Sequence, residues 1–255
     1  VDEVEAAANP YAQALAIESG LKRAKPHSEF AAMARLFAPE IAILQLPSWD
    51  CLPYDRTGPS AGIAAQRMST LARLVKGEEG GKATLLVTAA PAVLQRLPSR
   101  EDVSRAGYSA RPGQEVAIAD LERYFAVNGY SRASTVSERG EFAIRGGVID
   151  VYVASLRFPV RVELDDDTID RMRLFDPDTQ RSLRPIDHCP IHPVRETVAT
   201  VPGPLRPRLT ALADAIGAPS SKTRQILENL EGGVDFFGEE ALTPVFHAGM
   251  VPLWD

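Results

Sequence analysis

The first third of the chain combines two hydrophobic patterns, one typical of helices and one typical of buried strands. Apolar residues recur three to four positions apart in 28–40 and in 61–77, which predicts two amphipathic helices. Residues 41–46 and 83–89 are short, continuous apolar runs of strand length. This order predicts an open α/β sheet with parallel strands. The apolar stripe expected to face the core from the first helix is Phe30, Met33, Leu36 and Phe37.

From residue 117 onwards the pattern changes. Residues 117–130 predict a helix that ends at Asn-Gly, and four runs with a period of two follow it. Those runs are 141–146, 148–154, 159–164 and 169–176, joined in turn by Gly-Gly, a short loop and an Asp-rich turn. This spacing predicts an antiparallel meander, because two-residue glycine turns are typical of hairpins.

The third of these strands indicates how the meander is buried. Its apolar side chains, at 160, 162 and 164, share one face, whereas Arg161 and Glu163 share the other. One face of the sheet is therefore expected to pack on a core. The other is expected to meet solvent or a partner.

After the meander, a proline-rich crossing over 184–203 is predicted, followed by helices at 204–217 and 222–233. The chain then ends in an apolar, irregular piece. We expect such an ending where a longer chain has been cut.

Composition excludes several classes of protein. The chain has 255 residues, of which 45% are hydrophobic and 24% charged, as in ordinary globular proteins. Its net charge of −6 argues against a main role in gripping nucleic-acid phosphates. Two distant cysteines make no disulfide framework, which favours a reducing compartment. No apolar run approaches the ~18 residues of a membrane span, and no signal peptide is present, so no membrane partner is expected.

Phosphate-binding loops are the first sites to seek in such a sheet. The segment GEEGGKAT, residues 77–84, has too short a glycine spacing, and Ala83 replaces the magnesium-binding hydroxyl. It also leads into a strand instead of a helix. The SSKT segment at 220–223 lacks a glycine cradle. Neither segment is expected to bind phosphate as a Walker A loop.

Metal and nucleophile chemistry is also weakly represented. His188, Cys189 and His192 lack a clustered fourth zinc ligand, so a linker strand is the expected role of that segment. The acidic run 165–167 lies between two strands and predicts a solvated turn. Trp49 and Tyr54 are expected to anchor their loop over the sheet edge. We predict no catalytic, cofactor-binding or metal-binding residue.

Two blocks of the sequence resemble the N-terminal module of bacterial transcription-repair coupling factors. The first, LPSWDCLPYDRTGPSAGIAAQRMSTLARL at 46–74, is similar to a loop and helix of that family. The second begins RGEFAIRGGVIDVY at 139 and continues through PVRVELDDDTIDRMRLFDPDTQRSL. The second block is shared more loosely with the excision-repair subunit UvrB. The resemblance covers about residues 28–255.

The resemblance implies a fold. It implies a split, P-loop-like α/β domain that lacks a Walker A motif and is interrupted by a small α+β domain with the meander. The expected limits are 1–106 for the first part of the α/β domain, 107–192 for the inserted domain, and 193–255 for the returning part. The family also has an apolar strand before residue 28, where this chain has only ALAIESGLKRAKP. No fold is therefore predicted before about residue 26.

The resemblance also implies a function. The inserted domain resembles a docking surface for UvrA, the damage-recognition subunit. Matched position by position, the docking residues fall on Arg132, Arg145, Tyr152 and Glu163, with Ala143 in place of one further arginine. Arg161 is expected to orient Glu163 from the same face. Asp150 receives no role, and alanine at 145 or 152 is expected to leave the fold intact.

The wider expectations concern the whole protein. The family implies recruitment of UvrA to stalled RNA polymerase in the bacterial cytoplasm. RNA polymerase would be contacted through other domains, and the C-terminal region would mask the docking face. ATP and magnesium would belong to motor domains outside this segment, so no cofactor is expected here. The alternatives are a UvrB-type ATP-dependent DNA enzyme and a purely structural or autoinhibitory module. From the residues alone, a solvated surface with internal Arg–Glu pairs is the favoured interpretation of the polar face.

Overall fold

The computed structural model describes residues 14–18, 26–51, 58–77, 82–197, 204–231, 239–247 and 249–255. Within these ranges the chain is a mixed α/β protein with two main sheets. Tyr54 and residues 78–81 of the GEEGGKAT segment lie outside the described residues. A P-loop-like ancestry of the first sheet, and its lack of a Walker A motif, stay predictions.

The first sheet has three parallel strands, β1 (Ala14–Glu18), β2 (Ala42–Leu46) and β3 (Thr84–Ala89), in the order β1-β3-β2. The predicted strands at 41–46 and 83–89 are therefore confirmed. β1 occupies the weak segment for which the sequence predicted no fold. A parallel neighbour supplies its backbone hydrogen bonds, so strand pairing does not require a strong apolar pattern.

Two helices flank this sheet with opposite outcomes for their sequence patterns. Helix α2 (Ala61–Lys76) packs Met68 and Leu71 against strand residues such as Leu86, as its spacing predicts. Helix α1 (Pro26–Phe37) instead turns Ala31 inward, and its large apolar side chains are 46–76% exposed. The predicted core stripe of α1 is therefore wrong. The small residues Ala31 and Ala34 contact the sheet because they allow close approach of helix and strand.

Short elements lead from the first sheet to the second. They are α3 (Ala90–Leu94), β4 (Leu97–Pro98), α4 (Arg100–Ala106) and β5 (Tyr108–Ala110). Helix α4 begins after Ser99, whose hydroxyl accepts a hydrogen bond from the Asp102 amide, as expected of an N-cap.

The second sheet contains the predicted meander. Helix α5 (Ile118–Val127) precedes six strands in the order β11-β10-β9-β8-β7-β6. Their bounds are β6 Ser131–Arg132, β7 Glu141–Arg145, β8 Val148–Val151, β9 Val160–Asp165, β10 Thr168–Phe175 and β11 Ser182–Ile186. One face buries apolar side chains against Leu121 and Phe125 of α5. The alternation in the sequence is therefore confirmed.

The hairpin between β7 and β8 depends on its two glycines. Gly146 has a φ of +59°, which non-glycine residues seldom adopt. A Cβ on Gly147 would lie 3.2 Å from the carbonyl oxygen of Leu164. The pair therefore allows a tight turn and the close approach of β9.

The segment with His188, Cys189 and His192 is structural. Strand β12 (Cys189–Ile191) pairs with β5, and Cys189 is buried in the core. Burial raises the pKa of the Cys189 thiol to about 12 and lowers the pKa of His192 to about 4. No cluster of three metal-ligating side chains occurs among the described residues.

The last part of the chain is mostly helical. Helices α6 (Leu205–Ala215), α7 (Ser220–Glu231) and α8 (Thr243–Phe246), with a 3₁₀ turn at Glu239–Leu242, form a small cluster of their own. Strand β13 (Met250–Val251) then pairs with β4. The SSKT segment is the first turn of α7. Of the helices described, none has both the length and the hydrophobicity to cross a bilayer.

The buried residue Glu196 contacts helix α2, the Trp49 loop and the C-terminal part of the chain. Glu196, just after β12, accepts hydrogen bonds from Arg67 of α2 and from the indole nitrogen of Trp49. Its backbone oxygen lies 2.6 Å from Nε2 of His247. Trp49 thus anchors its loop, as predicted, but through a hydrogen bond to the segment that follows β12.

Candidate protein-docking site

The candidate site is the face of the second sheet that points away from α5, here called the outer face. Cross-strand pairing arranges its side chains in two rows over β7 to β10. The first row is Ala143, Asp150, Arg161 and Arg173, and the second is Arg145, Val148, Glu163 and Arg171. Four of the five predicted docking residues lie on this face: Arg145, Tyr152, Arg161 and Glu163.

Asp150 is the centre of the first row. Its side chain is fully buried, and its carboxylate accepts two bonds from Arg161, from Nε at 2.7 Å and from Nη2 at 2.9 Å. It also accepts a bond from Nη2 of Arg145 at 2.8 Å. The hydrogen bonds to Asp150 raise the pKa of the Arg161 guanidinium. The residue that received no role in the sequence therefore organises both arginines.

Glu163 has different partners from those predicted. Its carboxylate accepts a bond from Nε of Arg171 at 2.7 Å and lies 3.6 Å from Nη1 of Arg173. The expectation that Arg161 orients Glu163 is wrong. The side chain of Arg161 reaches across to the next strand, where the buried carboxylate of Asp150 accepts both prongs of its fork.

Tyr152 lies on the outer face but is only 7% exposed. It packs with Val136, Ala143 and Phe175, and its hydroxyl donates to the carbonyl oxygen of Arg157 at 2.7 Å. The hydroxyl of Tyr152 is therefore already engaged within the domain. Because the ring is buried, we now expect alanine at 152 to destabilise the fold, contrary to the expectation for an exposed residue.

What remains accessible near Tyr152 is cationic. The guanidinium carbon of Arg139 lies 5.1 Å from the centre of the Tyr152 ring. Arg139 itself is exposed. A partner that approached Tyr152 would therefore meet Arg139 first.

Arg132 is not brought together with the other predicted residues. It lies on the edge strand β6, paired with Phe142, whose side chain faces the core. Its guanidinium forms an ion pair with Glu122 of α5. Three strand spacings, roughly 14 Å, separate β6 from β9. Arg132 therefore belongs to the helix side of the sheet edge.

The charge of these two rows is opposite to that of the whole chain. The two rows contain four arginines and two carboxylates, whereas the chain has a net charge of −6. Arg145 and Arg171 are about half exposed, at 52% and 53% of the side chain. The face can thus offer guanidinium groups to carboxylates on a partner.

Sequence reasoning missed three members of this arrangement: Asp150, Arg171 and Arg173. Alternation indicated that each lies near the outer face. Only the register, with Asp150 opposite Arg161 and Glu163 opposite Arg171, assigns the ion pairs. Register is a property of the folded sheet, so hairpin spacing alone did not assign them.

Comparison with known proteins adds an independent line of evidence. Residues 109–196 match the family described as the UvrB interaction domain. The chain is 32% identical over 231 residues to a transcription-repair-coupling factor of Myxococcus xanthus, covering 86% of this chain and 18% of that protein. The protein of the same name from Rickettsia bellii is 28% identical over 87% of this chain and 19% of its own length.

A third relative, from Escherichia coli, matches a shorter stretch. This transcription-repair-coupling factor is 29% identical over 154 residues, which is 60% of this chain and 13% of that protein. The chain thus spans less than a fifth of the length of each of these three relatives. The outer face lies within the matched range 109–196.

Proposed function

We propose that this chain, which is homologous to one segment of the transcription-repair-coupling factors and carries a UvrB interaction domain, is a docking module for UvrA. Its outer face would bind the damage-recognition subunit. In the whole protein this contact would bring UvrA to RNA polymerase stalled at a DNA lesion, in the bacterial cytoplasm.

The observation that supports this proposal is the arginine-rich outer face inside the matched domain. Its arginines are held by carboxylates of the same sheet and yet keep part of their surface in solvent. Ordered arginines bind carboxylates with forked, charge-assisted bonds, and they lose little side-chain freedom on binding. An acidic surface on UvrA would complement this face.

The proposal assigns unequal roles to the five predicted residues. Arg145 and Glu163 would contact the partner, and Arg161 would support the contact from below. Tyr152 would shape the face through its packing, and Arg132 would form a peripheral contact at β6. Arg171 and Arg173 extend the docking face across β10.

The remaining parts of the proposal concern activity and control. The segment would neither hydrolyse ATP nor hold a cofactor, with ATP and magnesium used by motor domains outside it. RNA polymerase would be bound elsewhere in the whole protein. The C-terminal region would cover the outer face until a conformational change releases it.

A titration of this chain with purified UvrA tests the docking role. The wild type is compared with Arg145→Ala and Arg171→Ala, and Arg123→Ala serves as the control. Arg123 is an exposed arginine of α5, on the other side of the sheet, and pairs only with Asp120 at 3.0 Å in the part of the chain described. We expect binding by the wild type and the control, and a loss of about tenfold or more in each outer-face variant.

Three results would contradict the proposal. If the wild type does not bind UvrA, a structural module that packs only against the motor becomes the better interpretation. If the wild type binds ATP tightly and hydrolyses it, a UvrB-type ATP-dependent enzyme becomes the better interpretation. Equal binding by all variants would remove the outer face as the docking surface.

A further inference from the structure

The buried carboxylate of Asp150 needs a permanent cation. Its side chain has no exposed surface, and an unpaired carboxylate in that position would be costly. Arg161 fulfils this need with two bonds, and its guanidinium carbon also lies 4.7 Å from the centre of the Phe175 ring. Arg161 is thus held by two hydrogen bonds to one carboxylate and by one aromatic ring.

Arg145 is held differently by the same carboxylate. One bond, from Nη2, joins it to Asp150, although a guanidinium carries five N–H donors. Its side chain is 52% exposed, compared with 22% for Arg161. The single bond sets the direction of Arg145 and leaves most of its donor groups towards solvent.

Given the docking function proposed above, we propose that Asp150 is the positioning residue of the outer face. It fixes Arg161 and, through a third bond, presents Arg145 in one orientation to a carboxylate of the partner. An arginine ordered before binding loses less conformational entropy when the complex forms. Asp150 itself, being buried, does not contact the partner.

The proposal is tested by measuring the affinity of the 255-residue chain for UvrA. We compare the wild type with Asp150→Asn, Arg145→Ala and the double variant, and Asp120→Asn serves as the matched control. Asp120 is an exposed carboxylate that also pairs with an arginine. We expect a loss of about tenfold for each single outer-face variant and none for the control. The loss in the double variant should be much smaller than the product of the two single losses, because both changes remove one interaction.

A second measurement separates positioning from general stability. The Nε–Hε signals of arginine side chains in NMR spectra report whether those groups are ordered. We expect a protected Arg161 signal in the wild type and in Asp120→Asn, and its loss in Asp150→Asn at temperatures well below unfolding. If Asp150→Asn does not fold, Arg161→Lys removes the fork while keeping the charge, and it should weaken UvrA binding in the same way.

The outcomes are distinct. Loss of the Arg161 signal together with weaker binding supports the proposal. An unchanged signal, or binding by Asp150→Asn within about twofold of the wild type, overturns it. If the wild type does not bind UvrA, the proposed function fails. Absence of UvrA binding would also overturn the proposal that Asp150 orients Arg145 towards UvrA.

Discussion

Arg67 and Glu196 form an ion pair in which both side chains are buried, with Nε and Oε1 2.5 Å apart. The two residues lie 129 positions apart, on helix α2 beside the first sheet and in the segment that follows β12, the partner strand of β5. Arg67 also donates to the carbonyl oxygen of Pro47 at 2.7 Å. This pair therefore joins helix α2 and the Pro47 loop to the segment that follows β12.

Removing one partner of this pair should be strongly destabilising. Among the described residues, Arg67→Ala leaves buried Glu196 with the Trp49 indole as its one side-chain donor, and we expect the free energy of unfolding to fall by roughly 3–5 kcal/mol. Denaturant unfolding measures this loss. The control is Arg123→Ala, an exposed pair worth less than about 1 kcal/mol. Equal losses in both variants would contradict the structural role of the pair.

The two arginines on Asp150 should differ in their effect on stability. Arg161→Ala leaves the buried carboxylate with one bond, and we expect a loss of roughly 2 kcal/mol or more. Arg145→Ala leaves the fork in place and should cost less than about 1 kcal/mol. Thermal unfolding of the two variants, side by side, measures the difference. A larger loss for Arg145→Ala would reverse the roles given to the two residues.

Tyr152 should behave as a packed residue. Tyr152→Ala leaves a cavity beside Phe175, and we expect a loss of about 3 kcal/mol. Tyr152→Phe removes only the bond to the Arg157 carbonyl and should cost about 1 kcal/mol. Denaturant midpoints distinguish the two. If alanine proves as stable as tyrosine, the ring is not packed as described.

Salt should weaken docking more than it weakens the fold. The outer face carries an excess of arginine, and charges in solvent are screened beyond about 10 Å at 0.1 M salt. We expect association with UvrA to slow, and affinity to fall, as salt rises from low to moderate concentration. Stopped-flow association rates measure the effect. An affinity that does not change with salt would indicate that apolar contacts dominate the interface.

Acid should destabilise the chain through His192. Burial, followed by the charges of Lys76 and His188, lowers its pKa to about 4 from an ordinary value of 6.5. The unfolded chain therefore binds a proton that the folded chain does not. The associated stability is complete above pH 6.5 and is lost as the pH falls towards 4, by at most about 3 kcal/mol.

The check is to unfold His192→Phe and the wild type between pH 4 and pH 7. The variant should lose less stability than the wild type over this range, because phenylalanine does not titrate. His188→Phe, a change at the neighbouring histidine, provides the comparison. Equal slopes for His192→Phe and the wild type would show that other groups account for the acid sensitivity.

Much of the second sheet could be predicted because its local signals agree. Alternation over β7 to β10 and the glycine pair set both the strands and their faces. The same parity placed Arg145, Tyr152, Arg161 and Glu163 on one side. Arg132 could not be assigned in this way, because β6 is a two-residue strand parallel to β7, with no alternation of its own.

Other features depend on neighbours that a pattern does not identify. The stripe on α1 showed which residues share a helical face, but the alanines of another face made the contact with the sheet. The burial of Tyr152 depends on the segment around Val136, which covers that end of the outer face. Strand β11 contains Pro185, which tends to argue against a strand, but it lies at the sheet edge where proline is tolerated.

The pairing of β5 with β12 has a consequence for how such a protein could arise. Tyr108 lies opposite Ile191 in an antiparallel ladder, so the segment between them leaves and rejoins the chain about 5 Å apart. A segment with adjacent ends can be inserted into a surface loop of a host without separating its flanking elements. Residues 108–191 thus begin and end side by side, so recombination could insert or remove them as one unit without separating the elements on either side.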